Sequence, residues 1–85
     1  MSEIPTYRLL WAVTTGDEVS MVRWTILRTD THWNVPVREL SWVFWNDAPP
    51  RSNYLRFGRM VRLAKKAWAD VMERQLEAIA AGMAK

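Results

Sequence analysis

Residues 6–28, TYRLLWAVTTGDEVSMVRWTILR, contain two runs of aromatic and aliphatic side chains separated by a Thr-Gly-Asp turn signal at residues 15–17. Runs of this composition, bounded by glycine and aspartate, are typical of two strands joined by a tight turn. Gly16 permits a positive φ at the turn, and aspartate can hydrogen-bond its own backbone. The segment therefore predicts a β-hairpin with strands at residues 6–14 and 18–28.

A third strand and a long helix are predicted after the hairpin. Residues 29–36 are polar and end in proline, which predicts a loop. Residues 37–46, VRELSWVFWN, predict a strand that two prolines then terminate. Residues 52–82 repeat apolar side chains with helical spacing. The stripe that this spacing predicts comprises Phe57, Val61, Ala64, Trp68, Met72, Ile79 and Met83.

The order β-β-β-α predicts an α+β domain in which a three-stranded antiparallel sheet (residues 6–46) packs on one long C-terminal helix (residues 52–82). The start of the helix has two interpretations. Either Ser52 or Asn53 caps a helix that begins early, or Gly58 separates a short extended piece from a helix that begins just after it. Chain length allows one domain.

Six tryptophans in 85 residues are the main resource for a core, because the chain has no cysteine and therefore no disulfide. Each tryptophan can bury ~150–250 Å². The strands are apolar on both faces, yet a single helix covers one face. Either the tryptophans wrap around the sheet edges and complete a single core, or the second face is an interface.

The tryptophans divide into three groups on this basis. We expect Trp11 and Trp68 in the core, and Trp33 exposed in a polar loop beside the single histidine, His32. The function depends on which way the remaining sheet tryptophans face: Trp24, Trp42 and Trp45.

Positive charge is concentrated between Asp47 and Asp70. That window carries +6, and the rest of the chain carries −3, for a net charge of +3. Lys66–Asp70 and Asp70–Arg74 are the opposite-sign i,i+4 pairs on the helix, so most of these cations lack a local partner. The cations also lie in the N-terminal half, where the helix dipole disfavours them. The pattern has two interpretations. A charge run is usually a solvated helix face, and the two details above instead suggest an anionic partner, either an acidic protein surface or a nucleic acid.

Catalysis and metal binding are not expected. A lone loop histidine at position 32 is usually incidental, and the sequence holds no cysteine nucleophile, no GxSxG, no HExxH and no phosphate-binding glycine loop. We therefore expect a non-enzymatic protein without metal or cofactor. No signal peptide is recognisable and no apolar run approaches the ~20 residues of a membrane helix, so we expect a cytoplasmic protein with no membrane partner.

Leu55-Arg56-Phe57-Gly58, followed by Leu63-Ala64-Lys65-Lys66-Ala67-Trp68, resembles the helix entry of small phage- and prophage-encoded proteins, including anti-CRISPR inhibitors. The cysteine-free, tryptophan-rich hairpin sheet and final helix are similar in layout. The resemblance implies a stand-alone inhibitor that blocks a host defence complex by occupying a protein surface. Several anti-CRISPR proteins are acidic mimics of nucleic acid, whereas this chain is basic, so we do not expect charge mimicry.

The leading hypothesis is a protein-binding module that contacts an acidic protein surface through aromatic anchors and arginines. An alternative is a small nucleic-acid binder that combines basic side chains with aromatic stacking. A third is a homodimer closed through the free sheet face. The partner-binding residues that we expect are Trp24, Trp33, Trp42, Trp45, Arg51, Arg56, Arg59 and Arg62.

Overall fold

The computed structural model describes residues 5–30 and 32–83. Its elements follow the predicted order: β1 (Tyr7–Thr15), β2 (Val19–Arg28), β3 (Val35–Trp45) and α1 (Pro50–Met83). The strands form one antiparallel sheet in the order β1-β2-β3, and α1 packs on one face of it. The α+β prediction of three strands and one long C-terminal helix is therefore confirmed.

The core lies between α1 and one face of the sheet. Trp24 and Ile26 on β2 and Phe44 on β3 are buried there, and they face Met60 and Ala64 of the helix. Because side chains alternate along a strand, every second residue of each strand shares this face. The register pairs Trp24 with Leu40 on β3 and with Trp11 on β1.

The helix is continuous and begins earlier than either predicted cap. Pro50 is its first residue, a position where the missing proline N–H costs no hydrogen bond. Asn53 does not cap the helix, since its Nδ2 donates to the carbonyl of Trp45 at 2.8 Å. Gly58 lies within the helix, so the short extended piece does not exist.

The contact line of the helix differs from the predicted stripe. Met60, Ala64, Ala67 and Val71 are buried, whereas Phe57 is 43% exposed. The two lines are rotated by roughly 80° about the helix axis at 100° per residue. The small side chains of Ala64 and Ala67 let the helix approach the bulky side chains of the sheet.

The hairpin turn depends on Gly16 for space and not for a positive φ. No described glycine has a positive φ. A Cβ on Gly16 would instead lie 2.8 Å from the carbonyl oxygen of Val19, which accepts a hydrogen bond from the Gly16 N–H. Asn46 secures this turn, because its Nδ2 donates to the Gly16 carbonyl at 2.9 Å.

The domain is flat and extended. Its Cα atoms span 57 × 25 × 10 Å with a radius of gyration of 16.6 Å, compared with ~12 Å for a compact domain of this length. The accessible surface is 6845 Å², compared with ~5,200 Å² for a compact 10 kDa monomer. The chain therefore leaves much more surface uncovered than an ordinary domain of its size.

Candidate protein-binding surfaces

No described residue covers the sheet face that is turned away from α1. We call it the open face. Its exposed apolar side chains include Leu10 at 43%, Val43 at 47% and Trp45 at 53% exposure. A shallow groove of about 390 Å³ crosses it between Leu10 and Leu27. The residues of the open face are Arg8, Leu10, Ala12, Thr14, Val19, Met21, Arg23, Thr25, Leu27, Pro36, Glu39, Ser41, Val43 and Trp45.

One ion pair lies in the middle of the open face. Arg23 Nη1 on β2 is 3.5 Å from Glu39 Oε1 on β3, and both side chains are nearly half exposed. A pair this exposed contributes little to stability because water and salt screen it. The two charges do cancel, so the centre of the face is polar but carries no net charge, and the apolar side chains lie around it.

Carboxylates surround the Trp45 end of the open face. Trp45 shares a cleft of about 330 Å³ with Asp17, Glu18 and Asp47. A partner that covers Trp45 would meet negative charge there. This end of the open face thus favours a basic rather than an acidic neighbour.

The helix carries a separate basic surface, which we call the basic ridge. Its side chains are exposed, and helical geometry places them away from the contact line that faces the sheet. Within residues 5–30 and 32–83 none of them forms an ion pair. The basic ridge consists of Arg51, Arg59, Arg62, Lys65 and Lys66.

Arg56 does not belong to the basic ridge. Its Nη1 donates to the carbonyl of Val43 on β3 at 3.0 Å. Together with Asn53, which binds the carbonyl of Trp45, it holds the start of α1 against the edge of β3. Arg56, one of the residues expected to contact a partner, therefore also holds the helix to the sheet.

The tryptophans do not gather at one site. Trp24 is 3% exposed beneath α1, and Trp42 packs partly buried on the same face, so neither lies on the open face. The expectation that Trp24 and Trp42 contribute to an uncovered sheet surface is therefore wrong, and of the three sheet tryptophans in question Trp45 alone lies there. Trp24 Nε1 is buried without a hydrogen-bond partner among the described residues.

Trp11 and Trp68 were both expected in the core, and only Trp68 packs there. Trp68 packs against the core as predicted. Trp11 is 41% exposed, because α1 lies over β2 and β3 and leaves β1 largely uncovered. The Trp11 ring meets the helix through Phe57, with ring centroids 6.0 Å apart.

Trp33 lies in the loop between β2 and β3 and is 75% exposed. Its ring stacks edge-on with His32, with centroids 5.2 Å apart. It precedes β3 whereas Trp45 ends it, so the two exposed rings lie roughly 35 Å apart along the strand direction. The predicted exposure of Trp33 is confirmed, but Trp33 and Trp45 are not neighbours.

Four of the eight predicted site residues therefore lie on two surfaces on opposite sides of a two-layer domain: Trp45 on the open face, and Arg51, Arg59 and Arg62 on the basic ridge. The aromatic part of the open face is on one side and the basic ridge is on the other. A single flat partner surface cannot contact both. The sequence analysis missed the exposed apolar positions of β1, although the absence of charge between Leu9 and Thr15 was a visible signal.

The described part of the chain contains no group of three or more potential metal ligands. No helix within that part is long and apolar enough to cross a membrane. Comparison with protein-family models, curated proteins and solved structures found no match to this chain.

Proposed function

We propose that the protein is a non-enzymatic protein-binding module and that the open face is its main binding surface. The supporting observation is the open face itself, with the apolar groove beside Leu10 and Leu27 and the exposed rings and aliphatic groups at Val43 and Trp45. Exposed apolar surface of this kind marks interaction sites on soluble proteins. Tryptophan is the residue most often found to dominate binding energy at such sites.

The partner on the open face would present an apolar patch flanked by basic side chains. The apolar part fits the groove, and basic groups fit the carboxylates of Asp17, Glu18 and Asp47 beside Trp45. The acidic partner surface expected from the sequence would meet the basic ridge instead. We further propose that the protein is an inhibitor encoded by a mobile element and that it occupies a surface of a host defence complex. The anti-CRISPR resemblance supports this more specific function.

Affinity capture from a lysate of the source cells, with nuclease added, tests the open face. Trp45→Ala and Val43→Lys should each abolish capture of a specific protein band, because they remove an anchor and place a charge in the apolar surface. Arg59→Glu with Arg62→Glu is the matched control on the other side and should leave that band in place. Equal capture by wild type and by Trp45→Ala with Val43→Lys would contradict the proposal.

Nucleic-acid binding is the second candidate, and the basic ridge favours it. If four cations of the basic ridge contact phosphates, the affinity for a single strand should fall roughly 50-fold between 50 and 200 mM salt. Fluorescence anisotropy with labelled single-stranded DNA and RNA measures this. Arg59→Glu with Arg62→Glu should abolish binding while Trp45→Ala should not, and no binding at 50 mM salt would remove this candidate.

A further inference from the structure

The outer edge of β1 offers backbone hydrogen bonds that nothing in the described structure takes up. The Gly16 N–H donates to the Val19 carbonyl, and the Thr29 N–H donates to the Thr6 carbonyl. These bonds fix the alternation of the antiparallel ladder, so even-numbered residues of β1 bond to β2. The outward groups belong to the odd-numbered residues Tyr7, Leu9, Trp11, Val13 and Thr15.

The outer edge of β3 follows the same alternation. The Asn46 N–H donates to the Glu18 carbonyl, which directs the groups of Val43 and Trp45 outward. Those are the two carbonyls that Arg56 and Asn53 bind. The alternation is therefore consistent at both edges of the sheet.

Tyr7 and Leu9 at the start of β1 pack partly buried against the core, and the side chains from Leu10 onward are exposed. Val13 is 66% exposed and Trp11 is 41% exposed on the helix side, and Leu10 is 43% exposed on the open face. A separate crevice of about 490 Å³ lies between the start of α1 and strands β2 and β3, with Val22, Phe44 and Phe57 in its lining. An exposed, flat and apolar edge strand is a template for pairing with another strand.

We propose that β1 pairs with β1 of a second copy, antiparallel about a two-fold axis, to form a homodimer with a continuous six-stranded sheet. Centring the axis on Trp11 uses all five outward residues, because position i then faces position 22 − i. Trp11 faces itself, Leu9 faces Val13, and Tyr7 faces Thr15.

Self-pairing is supported by the chemistry of this register. Its apolar positions meet apolar positions, and Leu10 faces Ala12 on the open face. Arg8, the one charged residue of β1, faces Thr14 rather than another cation. Tyr7 and Leu9 of the second copy come to lie beside Thr15 and Val13, whose side chains are exposed in the monomer.

The exposed area of the domain as a whole leaves room for a second copy. The chain exposes ~1,600 Å² more than a compact monomer of its mass. One partner in a standard interface buries about 800 Å². In a two-fold homodimer each copy supplies the same edge, so no second kind of chain is needed.

Light scattering coupled to size exclusion tests the dimer. Wild type at high concentration should have twice the 10.0 kDa chain mass, and dilution should return it to the monomer. Val13→Pro should be monomeric at every concentration, because it removes an outward N–H without removing a β1–β2 bond. If circular dichroism shows that Val13→Pro does not fold, Val13→Lys gives the same test. It should also be monomeric, because pairing would remove water from the lysine charge.

Val43→Lys is the matched control, since it places the same charge on an exposed valine of the other edge strand. It should remain dimeric while losing partner capture, which separates this inference from the proposed function. Amide exchange should slow at Leu9, Trp11 and Val13 as concentration rises. A monomeric wild type, or a dimer that persists in both Val13 variants, would overturn the proposal.

Discussion

The two edges of the sheet differ in how far they are protected from pairing with another strand. The β3 edge contains Pro36, a register irregularity where it passes Ile26 and Leu27 of β2, and two outward carbonyls bound by helix side chains. The β1 edge has none of these features among the described residues. Prolines, bulges and covering side chains are the means by which proteins prevent unwanted strand pairing. The difference indicates that β1 is left accessible while β3 is closed.

The central strand supports both edges, so its buried side chain should produce the largest effect. Ile26 is fully buried. Ile26→Ala should lower the free energy of unfolding by about 2–5 kcal/mol through lost burial and the cavity that remains. Urea denaturation measures this. Val13→Ala, a change on the exposed edge, should stay within about 0.5 kcal/mol of wild type, and a similar loss in both variants would show that β1 is packed after all.

Proline placed at neighbouring positions of β1 tests which groups face outward. Ala12→Pro should cost about 1–3 kcal/mol, because it deletes an N–H that bonds to β2 and leaves the opposite carbonyl unpaired. Val13→Pro should cost much less in the monomer. Thermal unfolding at low protein concentration compares the two, and the reverse order would show that the assigned alternation is wrong.

Removing the side chains that close β3 should make the two edges alike. Arg56→Ala and Asn53→Ala should each cost about 0.5–1.5 kcal/mol, the usual net worth of a hydrogen bond. The double variant should also form species larger than a dimer in light scattering, because both edges would then be accessible. Arg59→Ala, which removes an unbonded arginine one turn away, should change neither stability nor mass.

Acid should weaken the attachment of β1 at its start. Asp30 accepts from Arg28 Nε at 2.8 Å and from the Thr6 N–H at 3.3 Å. The hydrogen bond from Arg28 is the main reason that the pKa of Asp30 lies below its usual value. A lowered folded pKa gives stability that is present above the unfolded pKa of ~3.9 and is lost as pH falls through the folded value.

Thermal unfolding between pH 6 and pH 2.5 measures this smallest effect. Wild type should lose stability more steeply than Asp30→Asn at the acid end, since the variant has no carboxylate to protonate. Parallel pH profiles for the two proteins would show that Asp30 does not contribute.

The sequence was sufficient for the element order because the turn signals and the helical spacing are local. It could not assign faces, since β1 and β3 are apolar on both sides and either assignment satisfies the alternation. The helix carries two adjacent apolar lines, and the predicted one contained Phe57 and Trp68. Packing kept Ala64 of the predicted line and buried Met60 and Ala67 beside it, because small side chains are needed opposite the Trp24 ring.

The candidate site was less predictable for a related reason. Arg56 and Arg59 are both exposed and are indistinguishable in a charge count, yet Arg56 binds a backbone carbonyl of β3 and Arg59 lies on the basic ridge. That difference depends on where the helix lies relative to the strand edge. Long-range placement of this kind is decided by tertiary packing and leaves no mark in local composition.

The separate locations of the tryptophans give the protein built-in optical reporters. Indole emission shifts to longer wavelengths in water, so Trp24 beneath the helix should emit at the blue end and Trp33 and Trp45 at the red end. Trp11 is intermediate in exposure and lies on the accessible edge. Quenching by acrylamide should therefore distinguish events at the open face, at the loop and at the β1 edge without any added label.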